Sequence, residues 1–114
     1  SADLSPEAPG MLYRHYAPQT PTFLVDNADE FISTRPENKI GLLRFQNSIQ
    51  NTQVTHQEIL SPEGHLEEAA KRLYAAMHNL DHLNLDIIVA EKFPSYGLGL
   101  SINDKLKRAS KKKS

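Results

Sequence analysis

The chain has 114 residues, a formal charge of −1, 39% apolar residues and no cysteine. That length suits one domain with a modest stability margin, and the lack of cysteine excludes disulfides and thiolate metal sites. No apolar run approaches the roughly 18 residues of a membrane span and no charged-then-apolar leader opens the chain, so a soluble cytoplasmic protein with no membrane partner is expected.

Residues 1–20 read as an extended linker. Of the seven prolines, Pro6, Pro9, Pro18 and Pro21 fall in the first 21 residues, where fixed φ angles and missing amide donors oppose a helix. Within this lead-in, Pro9-Gly10-Met11-Leu12-Tyr13-Arg14-His15-Tyr16-Ala17-Pro18 gathers aromatic rings and a guanidinium between prolines. Spacers are usually small and polar, so such a segment is expected to lie on something. Tyr13 and Tyr16 could stack on a base, Arg14 could pair with a phosphate or carboxylate, and His15 could hydrogen-bond or move a proton. The same rings could instead pack on the domain's own surface and orient the linker.

A compact body is expected over residues 21–110. Pro21 to Val25 is a short run of strand formers. Asn27 then offers an N-cap with Glu30 three residues later, and Ala28, Phe31 and Ile32 form a helical stripe, predicting a short helix that stops near Pro36. Ile40 to Phe45 is almost continuously apolar, the pattern of a central strand buried on both faces. Gln46 to Thr52 is polar and loop-like, and Gln53 to Leu60 reads as a strand nearer an edge.

Ser61-Pro62-Glu63 carries the chemistry of a helix start: a capping serine, a first-turn proline and a carboxylate at the positive end of the dipole. Leu66, Ala69, Ala70, Leu73, Met77 and Leu80 follow at helical spacing. Leu85 to Glu91 is another buried strand, Gly97 and Gly99 make a turn, and Leu98 to Ser110 places Ile102, Leu106 and Ala109 on one helical face. Strands alternating with helices imply right-handed crossovers and a sheet covered on both sides. The expected fold is a small Rossmann-like three-layer α/β/α domain with a mostly parallel sheet of about four strands. Residues 111–114 read as a basic disordered tail: residues 105–113 hold six of the thirteen basic groups, leaving an acidic body that argues against a broad phosphate-binding face.

The body is thinly equipped for chemistry. Ligands of open parallel sheets bind beyond the carboxyl ends of the strands, which directs the search to the loops after Val25, Phe45 and Glu91. Gly97 and Gly99 form a possible anion-binding turn at a helix N-terminus, but Ile102 stands where the dinucleotide fingerprint requires a third glycine, and no P-loop lysine follows. His78 and His82 have the i, i+4 spacing of two metal ligands, with Asp81 nearby, but lack the glutamate of the zinc-protease motif. No nucleophile elbow and no acid/base carboxylate pair stands out, so neither catalytic nor metal-binding residues are assigned.

The segment from Pro9 to Pro18 resembles the interdomain linker of two-domain threonylcarbamoyl-AMP synthases, whose pattern runs Pro-Gly-Met, a variable residue, Tyr, a variable residue, then His-Tyr-Ala-Pro. Leu73-Tyr74-Ala75-Ala76, Leu80-Asp81, Gly97 through Leu106 and Arg108-Ala109 are similar to the C-terminal domain of that family. Ser101 and Lys105 depart from it mildly, since relatives tend to carry Ala and Arg there. The resemblance implies an accessory, regulatory domain of an enzyme that joins ATP, L-threonine and bicarbonate into threonylcarbamoyl-adenylate and pyrophosphate for the threonylcarbamoyl modification of tRNA adenosine.

The implied partner is a YrdC-like catalytic domain that precedes the linker and holds ATP and magnesium. No cofactor is assigned to this chain, and contact with tRNA is indirect. Tyr13, Arg14, His15 and Tyr16 would then contact the catalytic domain as part of a lid. Apart from that domain the linker is expected to be loose or packed opportunistically on its own body. The alternatives are an independent nucleotide-binding module using Gly97 and Gly99, or an RNA-contacting module using the basic tail.

Overall fold

The computed structural model describes residues 16–111. Strands β1 (Thr22–Val25), β2 (Ile40–Arg44), β3 (Val54–Ile59) and β4 (Ile87–Glu91) form one parallel sheet in the order β1-β4-β2-β3. Helices α1 (Ala28–Ile32), α2 (Leu66–Asp81) and α3 (Leu98–Ser110) complete the expected three-layer α/β fold. β2 is central and β3 lies at an edge, as their apolar patterns require.

The strands at the centre alternate between two cores. Leu42, Ile87 and Val89 face α1 and pack with its Ala28 and Ile32. Leu43, Ile88 and Ala90 face the opposite way and pack with Leu73, Met77 and Leu80 of α2 and with Ile102 and Leu106 of α3. A period of two combined with burial on both sides explains why these strands read as unbroken apolar runs. Topology explains the division of helices. The chain moves from β1 to β2 through α1, continues to β3 through a loop, and then returns past β2 to β4 through α2. Right-handed crossovers that run in opposite directions across a sheet lie on opposite faces, so α2 is separated from α1.

Asn27 caps α1 as expected, its Oδ1 accepting from the Glu30 amide at 3.0 Å. The start of α2 requires a correction. Ser61-Pro62-Glu63-Gly64 forms a turn closed by a 2.9 Å bond from the Gly64 amide to the Ser61 carbonyl, with proline second and glycine last, as such turns favour. Gly64 at φ 86° interrupts the helical path, and α2 begins only at Leu66. Ser61 still serves the helix: its Oγ accepts from the His65 amide at 2.8 Å and donates to Glu68 Oε1 at 2.6 Å. The turn residues and the cap were legible, but their chemistry applies one turn ahead of the helix.

Candidate functional site

The functional candidates sit at two places: the end of the linker on α2, and the carboxyl end of the sheet. Tyr13, Arg14 and His15 lie outside the described residues, as do Lys112 and Lys113 of the tail. Tyr16 lies at the start of the described chain and is bound to the body. Its ring meets Tyr74 edge-on at 5.2 Å between centroids and lies 5.9 Å from the ring of His78. The alternative in which the linker rings pack on their own domain thus describes Tyr16.

Asp81, the last residue of α2, fastens this segment. Its Oδ2 accepts from the Tyr16 hydroxyl at 2.9 Å and the Gln19 amide at 3.1 Å. Its Oδ1 accepts from the Thr20 amide at 2.9 Å and the Thr20 hydroxyl at 2.8 Å. Burial is the largest influence on this carboxyl and opposes its ionisation. The Thr20 amide and hydroxyl, the Gln19 amide and the Tyr16 hydroxyl together outweigh burial and hold its pKa below the usual carboxylate value. The Tyr16 phenol is shifted the other way, well above the ordinary tyrosine value, first by burial and then by its hydrogen bond to Asp81 and that residue's charge. Residues 16–20, placed in the linker by composition, are therefore bonded to the body at one carboxylate.

The histidine pair lies beside this carboxylate on α2. His78 and His82 have ring centroids 4.4 Å apart, but His82 Nδ1 lies 2.8 Å from the His78 carbonyl oxygen, and both Asp81 oxygens are engaged by the linker. Among the described residues no three potential ligands converge.

At the carboxyl end of the sheet, Glu91 closes β4 at the strand where the crossovers change face. A ligand of an open α/β sheet enters at such a place. Here Glu91 Oε2 accepts from the Ala28 amide at 2.8 Å, and Oε1 pairs with Arg44 Nε at 2.8 Å. Lys92 pairs with Asp26 at 3.1 Å. The domain's own carboxylate thus takes the first amide of α1, and neighbouring charges pair with one another.

The Gly97–Gly99 turn is also engaged internally. The Gly99 amide bonds to the Tyr96 carbonyl at 2.9 Å and the Leu100 amide to the Gly97 carbonyl at 3.1 Å. Gly97 adopts φ 53° and ψ −135°, a conformation costly to a residue with a side chain. A Cβ at position 99 would fall 1.8 Å from the Pro94 carbonyl oxygen. Gly99 lets α3 press against the backbone of the β4–α3 loop, while Gly97 supplies the positive φ of the turn. Asn103 secures that loop, accepting from the Phe93 amide at 2.8 Å and donating to the Phe93 carbonyl at 2.9 Å. Its role had no sequence signal beyond its place in the resembling stretch, because an amide bracketing a residue ten positions away follows no local period.

The second feature beside Tyr16 is an apolar groove of about 400 Å³ between α2 and α3. Leu73, Tyr74 and Met77 line one wall and Leu106 and Ala109 the other, with Lys71 and Lys105 at its margin and Tyr16 on its lining. Helical periodicity identified most of these residues as core; the shallow gap left between two converging helices is not visible in either period.

Comparisons with known proteins agree with this fold. Residues 1–111 match the family model described as threonylcarbamoyl-AMP synthase, C-terminal domain. The threonylcarbamoyl-AMP synthase of Pyrococcus abyssi is 30% identical over 108 residues, covering 91% of this chain and 32% of that protein. The synthase of Bacillus subtilis is 30% identical over 111 residues, covering 92% of this chain and 32% of that protein. The chain therefore spans about a third of the length of these relatives.

The crystal structure of P. abyssi Sua5 complexed with L-threonine superimposes with a TM-score of 0.66 at 32% identity, over 90% of this chain and 32% of that one. A variant of the same P. abyssi protein, with a histidine and a tyrosine replaced by alanine, shares the fold at a TM-score of 0.62 and 22% identity, over 82% of this chain and 28% of that one. This chain belongs to the family of threonylcarbamoyl-AMP synthase C-terminal domains.

Proposed function

We propose that the chain is the accessory domain of a threonylcarbamoyl-AMP synthase, and that residues 9–18 act as a lid over the cavity of a preceding YrdC-like catalytic domain. That domain would hold ATP, magnesium, L-threonine and bicarbonate and form threonylcarbamoyl-adenylate and pyrophosphate, serving tRNA modification in the cytoplasm. No residue described here is assigned to the reacting atoms. Arg44 pairs with Glu91 and Lys92 with Asp26 at the sheet's carboxyl end.

The observation that carries the proposal is the clamp at Asp81. A lid needs one fixed end, and the four bonds to Asp81 fix the chain at Tyr16, Gln19 and Thr20. The seven residues Pro9–His15 ahead of that point span roughly 25 Å when extended, enough to reach across the mouth of a small cavity. Closing over a reactive acyl-adenylate would exclude the water that hydrolyses it, and the aromatic rings would order the adenine or the amino acid. The same geometry supports a regulatory role, because anything that moves α2 would move the fixed end of the lid.

The test is Tyr13→Ala in the intact synthase. Adenylate formation should fall by roughly tenfold or more, or the adenylate should hydrolyse faster, with the C-terminal domain still folded. Unchanged turnover together with an unchanged lifetime of the intermediate removes the lid.

A further inference from the structure

The groove between α2 and α3 combines an apolar lining with two cations and no anion. Leu73, Met77 and Leu106 line it with the rings of Tyr16 and Tyr74, Lys71 and Lys105 stand at its margin, and no carboxylate among the described residues borders it. We propose that this groove binds a small aromatic carboxylate, and that its occupation strengthens the hold of Asp81 on residues 16–20.

Charge is the first argument. On the same two helices the arginines are engaged with acidic neighbours, Arg72 with Glu68 at 3.9 Å and Arg108 with Asp104 at 2.7 Å. Lys71 and Lys105 form no ion pair among the described residues; the Lys105 ammonium donates to the Ser101 hydroxyl at 3.0 Å. Two ammonium groups without counter-ions, set beside apolar surface, favour an anion whose remaining atoms are apolar.

Size and lining agree with that chemistry. The groove's volume of about 400 Å³ falls within the roughly 300–1,000 Å³ of sites that hold small organic molecules. A helix, about 10–12 Å across with its side chains, suits it less well. Tyr16 and Tyr74 already meet edge-on at 5.2 Å, a contact that a third ring would extend. Met77 supplies a thioether that adapts to an irregular outline.

Tyr16 belongs both to the groove and to the clamp, because its ring lines the one and its hydroxyl donates to Asp81 in the other. A ligand packed against that ring binds best while Tyr16 is seated. By reciprocity it favours the seated state, and with it the bonds from Gln19 and Thr20. A small anion would thus set how firmly the linker's end is held. That regulatory use rests on the function proposed above, whereas the binding itself does not.

Titration of the full 114-residue chain with 2-naphthoate, followed through its methyl resonances, tests the site, with the neutral and similarly shaped 2-naphthamide as control. Saturable shifts are expected at Leu73, Met77 and Leu106, and the amide should bind roughly threefold or more weakly. The double variant Lys71→Ala, Lys105→Ala should lower naphthoate binding to the level of the amide and leave amide binding unchanged. At ten times its dissociation constant, naphthoate should slow hydrogen exchange of the Gln19 and Thr20 amides by up to roughly tenfold, and Asp81→Ala should weaken naphthoate binding.

Indifference of the groove methyls to naphthoate, or equal affinity for acid and amide, overturns the anion site. Shifts that follow protein concentration alone overturn it too, because the groove then holds a second copy. Binding that leaves the Gln19 and Thr20 amides exchanging at their former rate overturns the coupling to the linker. A failed Tyr13→Ala test in the intact synthase would remove the lid and leave these titrations unaffected.

Discussion

Asp81 and Glu91 each end a regular element and accept from both backbone amides and side chains, yet they join different things. Glu91 ties the body to itself, linking the end of β4 to the start of α1 and to Arg44 at the end of β2. Asp81 ties the body to the incoming linker, and all four of its bonds come from residues 16–20. The first occupies the place where an α/β domain of this shape would receive a ligand. The second lies at the end of a helix, where the fold alone predicts no site. Glu91 thus serves the internal order of the domain at the carboxyl end of the sheet, and Asp81 holds residues 16–20 at the end of α2.

The largest effect is expected at the internal carboxylate. Replacing Glu91 with alanine leaves Arg44, whose side chain is only 21% exposed, without its counter-ion and strips the Ala28 amide of its acceptor. Partly buried charge pairs broken on one side cost about 3 kcal/mol. A domain of this size should then lose roughly 12–20 °C in Tm. A melt that moves by less than about 3 °C would mean that water replaces both bonds easily, and the contrast between the two carboxylates would collapse.

Asp81→Ala should act more locally. The linker detaches while the two cores remain, so the effect appears as a loss of about 2 kcal/mol, roughly 30-fold, in hydrogen-exchange protection of the Gln19 and Thr20 amides. Body amides in β2 and β4 should keep their protection. Equal loss throughout would make Asp81 part of the global fold and not a clamp on one segment.

Acid should reproduce this detachment. Because the folded pKa of Asp81 lies below its unfolded value, the clamp's contribution is fully present above about pH 4 and is lost as pH falls through the lower folded value. The Thr20 amide resonance should therefore titrate with a midpoint below about 3.9. A midpoint above that would show that burial outweighs the four donors.

Much of this contrast was hidden from the sequence, for a definite physical reason. Periodicity reports burial, and burial drew the strands, the stripe of α2 and the full extent of α3 correctly. The Asn27 cap was legible because its partner stands three residues away. Asp81 and Glu91 act over separations of 47 to 65 residues, and no local pattern distinguishes an aspartate that holds a distant segment from one that joins two histidines at a metal. Composition led to the expectation that the segment holding Tyr16 lies on something, because exposed aromatic rings are costly unless they land on a surface. Which surface Tyr16 lands on required the fold.

The smallest effect separates the two ways in which Tyr16 is held. Tyr16→Phe keeps the edge-on contact with Tyr74 and removes only the hydroxyl bond to Asp81, for a loss of about 1 kcal/mol in linker protection. Tyr16→Ala removes the ring as well and should lose about 1 kcal/mol more. The phenol is held above its ordinary pKa in the folded chain, so its contribution is complete below about pH 10 and is lost as pH rises toward the folded value. With four tyrosines and no tryptophan in the chain, ultraviolet absorbance follows phenolate formation directly. A late alkaline component contributed by Tyr16 should appear in the unmodified chain, and Tyr16→Phe should remove it. If that component survives the substitution, the ring of Tyr16 is not sequestered, and its packing on α2 contributes little to holding the linker.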